Sequence, residues 1–222
     1  MANERKQNRK YVFTVEGETE QWYFEWLSAA INAHPNSLYN VSLVTKVQQH
    51  PKKYAKTINP ISNPIVTHIC DYESNEEIHT TKFKNILSEL KEANSTIGRK
   101  FKYNFAYSNF TFELWMILHQ QMCNGPLVNR SQYLSHINRT YQENFEDLDQ
   151  YKHEANFKRC LSKLSLDNVY DAINRAKKIM SAKISNGEVS VQYKGFTYYK
   201  ENPALSIWEP IEKILKECGL LS

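Results

Sequence analysis

The sequence passes from an apolar run, Tyr11-Val12-Phe13-Thr14-Val15, directly into an acidic turn, Glu16-Gly17-Glu18-Thr19-Glu20. It does so again where the run Ile65-Val66-Thr67-His68-Ile69-Cys70 ends in Asp71-Tyr72-Glu73. Each apolar run is typical of a buried strand of a parallel sheet. Ligands of open α/β sheets usually bind beyond the carboxyl ends of the strands, so the two acidic turns predict one shared site.

Strand-like and helix-like patterns alternate along the first half of the chain. This β-α-β order favours an α/β fold in which helices cover a mainly parallel sheet. The predicted strands cover residues 10–16, 41–47, 65–70 and 102–107, and the predicted helices cover 19–33, 51–58 and 76–93.

The second half is predicted to be mainly helical, and we expect it to pack on the same core. Residues 1–125 would form the α/β core and residues 126–222 the helical region, within one domain overall. The polar region 129–149 is interpreted as a mobile insertion, and the aromatic region 189–199 as either a small hairpin or an extended arm. Helices are predicted over 112–122, 131–141, 166–184 and 204–218.

Composition limits the class of protein. The 222 residues include 28 Lys and Arg against 24 Asp and Glu, a net charge of +4 that is compatible with nucleic-acid binding without requiring it. No run approaches the roughly 18 apolar residues of a membrane span. The four cysteines are far apart and form no Cys-x-x-Cys pair, which predicts buried thiols in a cytoplasmic protein.

The acidic residues suit a hard divalent cation, Mg²⁺ or Mn²⁺. In an extended segment Asp71 and Glu73 would point to the same side, and Glu16 would reach them if the first strand neighbours the third. Such a cation stabilises the negative charge of a phosphodiester displacement and activates water, which indicates nuclease chemistry. The alternative is structural: Glu18 and Glu20 favour a helix N-terminus, and Asp71 and Glu73 form a solvated loop.

Three further residues are candidates for this site. Glu113 is a charge among large apolar residues, which is costly to bury alone. It would be a fourth carboxylate or orient a basic residue; the structural alternative is a charge that the helix dipole stabilises at the N-terminus. Glu20 would support the metal ligands. His119 would contact a phosphate, although a histidine satisfied within the core is the simpler interpretation.

Phosphate contacts are expected from Lys53, Ser108, Asn109 and Lys152. Lys152 would neutralise a transition-state charge, and Lys53 lies in a basic segment able to follow a nucleic-acid backbone. Each has a structural alternative. The lysines would be solvated surface residues, and Ser108 and Asn109 would cap the next helix.

These motifs resemble the TOPRIM fold of topoisomerases, bacterial primases and OLD-type nucleases, in which a glutamate ends one strand and an Asp-x-Asp pair ends a later one. A fuller resemblance is to the RloB-like (AbiLii-like) family of bacterial defence proteins. It is carried by Val15-Glu16-Gly17-Glu18-Thr19-Glu20, by the Asp71 region and by Ser108-Asn109-Phe110-Thr111-Phe112-Glu113-Leu114-Trp115-Met116-Ile117-Leu118-His119. The last segment is similar to the family's Ser-Asn-Pro-x-Phe-Glu-Leu-Trp block and is the most specific match.

The resemblance implies a TOPRIM-like nuclease that acts in phage defence or abortive infection, beside an ABC- or SMC-like ATPase partner. Two departures are visible. Glu73 stands where the family's second aspartate is usual, and the proline that usually precedes Phe-Glu-Leu-Trp is replaced around Phe110-Thr111.

Three functions follow as hypotheses. The first is an Mg²⁺- or Mn²⁺-dependent nuclease in which Glu16, Asp71, Glu73 and Glu113 are catalytic and the first three hold metal. The second is a non-catalytic or latent partner subunit of the ATPase, favoured by Glu73. The third and weakest is a primase- or topoisomerase-like strand transferase. The substrate, DNA or RNA including tRNA, and the oligomeric state stay open.

Overall fold

The computed structural model of the chain describes residues 6–58, 65–96 and 102–222. Their strands are β1 (Asn8–Val15), β2 (Asn40–Val47), β3 (Ile65–Asp71), β4 (Lys102–Asn109), β5 (Val191–Tyr193), β6 (Phe196–Tyr198) and β7 (Ala204–Leu205). Their α-helices are α1 (Glu18–Ala33), α2 (Pro51–Ala55), α3 (Glu77–Thr96), α4 (Glu113–Leu118), α5 (Tyr133–Tyr141), α6 (Leu148–Lys152), α7 (Glu154–Leu161), α8 (Leu166–Ser185) and α9 (Trp208–Glu217). A 3₁₀ turn at Arg130–Gln132 precedes α5.

Within these residues a five-stranded sheet has the order β2-β1-β3-β4-β7. The first four strands are parallel, and β7 pairs antiparallel with the end of β4, through Ser108 with Leu205 and Asn109 with Ala204. Because β1, β3 and β4 run in the same direction, Val15, Asp71 and Asn109 all end at one edge of the sheet. The prediction of a mainly parallel sheet flanked by helices, with a helical second half, is confirmed.

Two apolar layers cover the sheet. On one face Phe13, Val15 and Ile69 pack with buried residues of α1, α4, α5, α8 and α9. On the other face Val66 and Tyr103 pack with buried residues of α3 and with the β5–β6 hairpin. Successive side chains of a strand point to opposite faces of the sheet, so each strand contributes side chains to both layers.

Two sequence predictions about the second half are wrong. Residues 129–149 are folded: Tyr133, Ile137 and Tyr141 are buried on one side of α5, whose many polar residues lie on its outer side. The last helix begins at Trp208, because Ala204–Leu205 is instead the strand β7. The aromatic region 189–199 forms the hairpin β5–β6, and the arm alternative is excluded.

The structure also bears on the cysteines, on the possibility of a membrane span and on the boundary at residue 125. All four cysteines lie in the described part of the chain, where they are buried and free. No helix among the described residues is long and apolar enough to cross a membrane. The division at residue 125 stays a prediction, and residues from both sides of it share the larger core.

Candidate functional site

Three predicted carboxylates follow the ends of neighbouring strands. Glu16 follows β1 directly, Asp71 is the last residue of β3, and Glu113 begins α4, four residues after β4 ends. The sequence predicted that Glu16 reaches Asp71 only if the first strand neighbours the third, and β1 does pair with β3. Glu16 also bridges the two strands, because its Oε2 accepts a hydrogen bond from the Asp71 backbone N–H at 3.4 Å.

Glu20 joins this group from the first turn of α1. Its side chain is buried, and its Oε2 accepts a hydrogen bond from the Thr19 hydroxyl at 2.9 Å. Gly17 lies against the same carboxylate: a Cβ at this position would stand 3.1 Å from Glu20 Oε2, which is tighter than ordinary contact. Gly17 therefore leaves room for the Glu20 carboxylate. Its φ of −140° is an extended conformation that any residue can adopt.

The carboxylates of the cluster repel one another, and burial strengthens the effect. Burial raises the pKa of Glu16 to about 7; the charge of Lys82 limits the rise and Glu20 adds to it. Burial also raises the pKa of Asp71 well above its usual range, with further contributions from Glu20, Glu16 and Glu113. The pKa of Glu20 is raised by burial and by the charge of Glu113. This site therefore favours a bound proton or a bound cation.

A lysine compensates part of this charge. Lys152, at the end of α6, places its Nζ 3.2 Å from Glu113 Oε1. Burial lowers the pKa of Lys152, but the charges of Glu113, Asp71 and Glu20 outweigh that effect, so its pKa is raised overall. Lys152 therefore lies beside the carboxylates, and its predicted contact with a phosphate stays a prediction. The other oxygen, Glu113 Oε2, is buried and has no hydrogen-bond partner among the described residues.

Glu73 does not belong to the extended segment that holds Asp71, contrary to the sequence prediction. The extended backbone ends at Asp71, and Glu73 has a φ of +62°, so the rule that residues two apart share a face no longer applies. Its carboxylate instead faces three basic side chains. Its Oε1 accepts a hydrogen bond from Lys82 Nζ at 2.6 Å, and its Oε2 lies 3.5 Å from His79 Nε2 and 3.5 Å from Arg130 Nη1.

These basic groups keep Glu73 ionised. Burial opposes the charged form, but the hydrogen bond and charge of Lys82, together with His79 and Arg130, lower the pKa of Glu73 below its usual value. Lys82 also lies 3.6 Å from Glu16 Oε1, so one ammonium joins the two parts of the site. Two carboxylates two residues apart, Asp71 and Glu73, therefore have pKa values shifted in opposite directions by their surroundings.

The left-handed backbone at Glu73 gives a stability prediction. A residue with a Cβ loses roughly 1 kcal/mol in this conformation relative to glycine. We expect Glu73→Gly to be more stable than Glu73→Ala by about 1 kcal/mol, because both lose the ion pairs and only glycine relieves the backbone. Urea denaturation of the two variants measures the difference. Equal stability of the two, or a more stable alanine variant, would contradict the assigned conformation.

Three predicted residues are held by structural hydrogen bonds. Ser108 and Asn109 are fully buried: Ser108 Oγ donates to the Thr111 carbonyl at 2.8 Å, and Asn109 Nδ2 donates to the carbonyls of Tyr199 and Lys200. His119 is buried between the Tyr23 hydroxyl and the Trp115 carbonyl, and burial lowers its pKa to about 4. The bonds of His119 fit its structural alternative. The bonds of Ser108 and Asn109 are also internal, but they do not cap the next helix, because α4 has Phe112 at its N-cap and no side-chain cap hydrogen bond.

Lys53 lies apart from the cluster on α2. It is exposed, and no contact links it to the acidic residues described above. Its predicted phosphate contact stays a prediction.

Sequence reasoning missed Lys82, His79 and Arg130. Lys82 and His79 belong to α3, and Arg130 to the 3₁₀ turn before α5. A polar residue on an amphipathic helix carries no signal that distinguishes it from an ordinary solvated residue. The only available hint was that α3 begins directly after the Asp71-Tyr72-Glu73 turn, so its first turns had to lie near the site.

The donor chemistry fits Mg²⁺ or Mn²⁺, although no complete ligand cage is formed. Among the described residues, no group of three or more His, Cys, Asp and Glu side chains is arranged to hold a metal ion. Mg²⁺ is, however, usually bound by only one or two carboxylates, with water and substrate phosphates as its other ligands. Glu16 Oε1 is buried without a hydrogen-bond partner among these residues, as is Glu113 Oε2, so hard oxygen donors are available.

Comparison with known proteins identifies one family. The family described as RloB-like protein matches residues 11–214, which include every candidate residue discussed above. No curated protein and no solved structure matches the chain. The TOPRIM-like character suggested by the sequence therefore stays an interpretation.

Proposed function

Because the chain belongs to the RloB-like family, and membership in this family fits a role in defence, we propose that the protein is a metal-dependent nuclease with a TOPRIM-like site. The observation that carries the proposal is the convergence of Glu16, Glu20, Asp71 and Glu113 at the carboxyl edge of a parallel sheet. Burial, together with mutual repulsion, raises the pKa of Glu16, Glu20 and Asp71, an arrangement more typical of functional sites than of structural ones.

Glu16 and Asp71 would hold the cation, with Glu20 and Glu113 as supporting carboxylates. The metal would supply stabilisation of negative charge on the phosphate oxygens and activation of water. Glu73 is not assigned to this set, because its carboxylate is already bound by Lys82 and flanked by His79 and Arg130. A glutamate in place of the family's usual aspartate thus takes a different role, as the partner of a cationic cluster.

The remaining residues of the site have assignable roles. Lys152 and Lys82 are point charges on either side of the carboxylates and would orient the anionic phosphodiester. Without a cation Glu16 has a pKa of about 7 and is close to half ionised at neutral pH. As a carboxylate within the site it would also act as general base towards an attacking water. Nucleic acid, DNA or RNA, is the proposed substrate class because a phosphodiester is what this combination of charges suits.

Cleavage tests the proposal directly. Wild-type protein and Asp71→Asn are incubated with Mg²⁺ or Mn²⁺ and with plasmid DNA, single-stranded DNA and bulk tRNA. We expect metal-dependent cleavage of one substrate class, reduced about 100-fold or more in Asp71→Asn. The matched control is Asp171→Asn on α8, which removes only an ion pair to Arg175 and should cleave like wild type. Equal cleavage by wild type and Asp71→Asn would refute the assignment.

One observation favours a second function, a latent subunit of an ABC- or SMC-like ATPase. Lys82 pairs with Glu16 and Glu73, and Lys152 pairs with Glu113, so the carboxylates are partly neutralised without any metal. In this case the isolated protein would cleave nothing, and cleavage would appear only with the ATPase and ATP. Cleavage by the isolated protein would exclude this function.

A further inference from the structure

A cleft lies towards the amino ends of the strands, at the other end of the sheet from the acidic cluster. It has a volume of about 1080 Å³ and is lined by the first halves of β1, β3 and β4, with α9 on one side and the β5–β6 hairpin on the other. On these strands the lining extends to Phe13, Thr67 and Phe105, and the carboxyl edge of the sheet is three or four residues further along, which corresponds to roughly 10–13 Å. The cleft is therefore separate from the proposed catalytic site.

Positive charge dominates the cleft. Its lysines come from five different elements, so the charges are spread along it and not gathered at one point: they are Lys10, Lys91, Lys102, Lys194 and Lys213. Lys10, Lys91 and Lys102 form no ion pair with any described residue. Of the two carboxylates in the lining, Glu217 is already bonded to Tyr11 at 2.5 Å and to Arg9 at 3.4 Å, and its other oxygen lies 3.9 Å from Lys213. Five lysines against Glu209 and Glu217 leave the cleft with a net positive charge.

Aromatic side chains lie between these lysines. Tyr11, Phe105 and Phe196 line the cleft and are each partly exposed. Phe105 and Phe196 are neighbours, with ring centroids 5.4 Å apart, although they come from β4 and the hairpin. Partly exposed rings among lysines combine the two features that bind single strands: a charged path for phosphates and flat faces on which bases stack.

The edge of β4 in this cleft is closed to a peptide strand. The Asn94 side chain accepts from the Tyr103 backbone N–H and donates to its carbonyl. Ser206 does the same for Tyr107, through its Oγ and its backbone N–H. Because both backbone positions that flank Phe105 along this edge are already bonded, an added peptide strand would find few partners. The lining therefore favours a polyanion over an extended peptide.

We propose that this cleft is a binding site for single-stranded nucleic acid, distinct from the acidic cluster. Phosphates would follow the lysines, and bases would stack on Phe105, Phe196 and Tyr11. A mononucleotide suits the cleft less well, because the lysines are distributed along it instead of surrounding one phosphate. The inference does not rest on the proposed cleavage, since binding is measured here without divalent metal.

Fluorescence anisotropy with labelled oligo(dT) and oligo(U) of about 12 nucleotides, in EDTA, tests the site. Wild type should bind, and its affinity should fall with salt with a log–log slope of about −3.5, the value for five phosphate contacts on a single strand. Lys91→Glu/Lys102→Glu should bind at least about tenfold more weakly. The control Lys178→Glu/Lys216→Glu has the same charge change on the exposed sides of α8 and α9, and should stay within about twofold of wild type.

A further variant tests the stacking role of the rings. Phe196→Leu keeps an apolar side chain but removes the ring, and should weaken binding about fivefold or more. The proposal is overturned if wild type does not bind, if the lysine variant and its control lose affinity equally, or if Phe196→Leu binds as tightly as wild type. If Lys91→Glu/Lys102→Glu does not fold, Lys91→Gln/Lys102→Gln replaces it with the same expected direction.

Discussion

Glu16→Gln should make the protein more stable above neutral pH while removing its proposed activity. The Glu16 side chain is only 10% exposed, and its pKa is raised from 4.5 to about 7. The folded protein therefore binds this proton more tightly than the unfolded chain does. The associated stability is fully present below about pH 4.5 and is lost as the pH rises through about 7.

Glutamine cannot ionise, so the variant avoids this loss. A shift of this size corresponds to a gain on the order of 3 kcal/mol in the free energy of unfolding at about pH 8.5, and to almost no gain near pH 4.5. Urea denaturation from about pH 4.5 to 8.5 measures the difference between the two proteins. Burial lowers the pKa of His68 and His119 to about 3 and about 4, but these residues affect both proteins equally and cancel.

The control for this experiment is Glu18→Gln. Glu18 is exposed in the first turn of the same helix, so its replacement should change stability by no more than about 1 kcal/mol, through the helix dipole. A Glu16→Gln variant that is less stable than wild type at high pH, or a difference that does not change with pH, would contradict a charge-repelled Glu16.

Lys152→Met should have the opposite effect on stability. The Glu113 side chain is 2% exposed, and Lys152 provides its ion pair at 3.2 Å. Removing one partner of a buried pair leaves an uncompensated charge, which typically costs about 3–5 kcal/mol. Because the Lys152 side chain is 37% exposed and water screens part of the interaction, we expect a loss of about 2–3 kcal/mol at neutral pH.

A second substitution identifies the cause. In Glu113→Gln/Lys152→Met both charges are absent, so most of the lost stability should return. Lys158→Met is the matched control, because Lys158 pairs with Glu154 on the exposed side of α7 and should lose less than about 0.5 kcal/mol. A double variant as unstable as Lys152→Met alone would show that packing of the lysine, and not its charge, is what stabilises the protein.

The sequence predicted those parts of the structure that repeat a pattern over many residues. The strands that became β1 and β3 are continuous apolar runs, and the acidic residues after them fixed the position of Glu16 and Asp71 at the sheet edge. The strand β7 was missed because two residues are too few to show a period. A helix over 131–141 was predicted and corresponds to α5, but the polarity of residues 129–149 led to their interpretation as mobile; only three of the nine residues of α5 are buried, and they include two tyrosines.

The orientation of individual side chains was less predictable. Nothing in Asp71-Tyr72-Glu73 indicates that Glu73 adopts a left-handed backbone, a conformation uncommon for a residue with a Cβ. Lys82 was missed for a related reason, since its role depends on where α3 packs relative to two carboxylates 66 and 9 residues earlier in the chain. The sequence thus identified the acidic strand ends, and tertiary packing determined which carboxylates face one another.

Titration calorimetry with Mn²⁺ is the most direct test of the acidic cluster as a metal site, because it requires no knowledge of the substrate. We expect wild type and the Asp171→Asn control to bind Mn²⁺ with equal affinity, and Asp71→Asn to bind at least about tenfold more weakly. Absence of Mn²⁺ binding by wild type, or equal affinity in all three proteins, would contradict a metal site at Glu16 and Asp71.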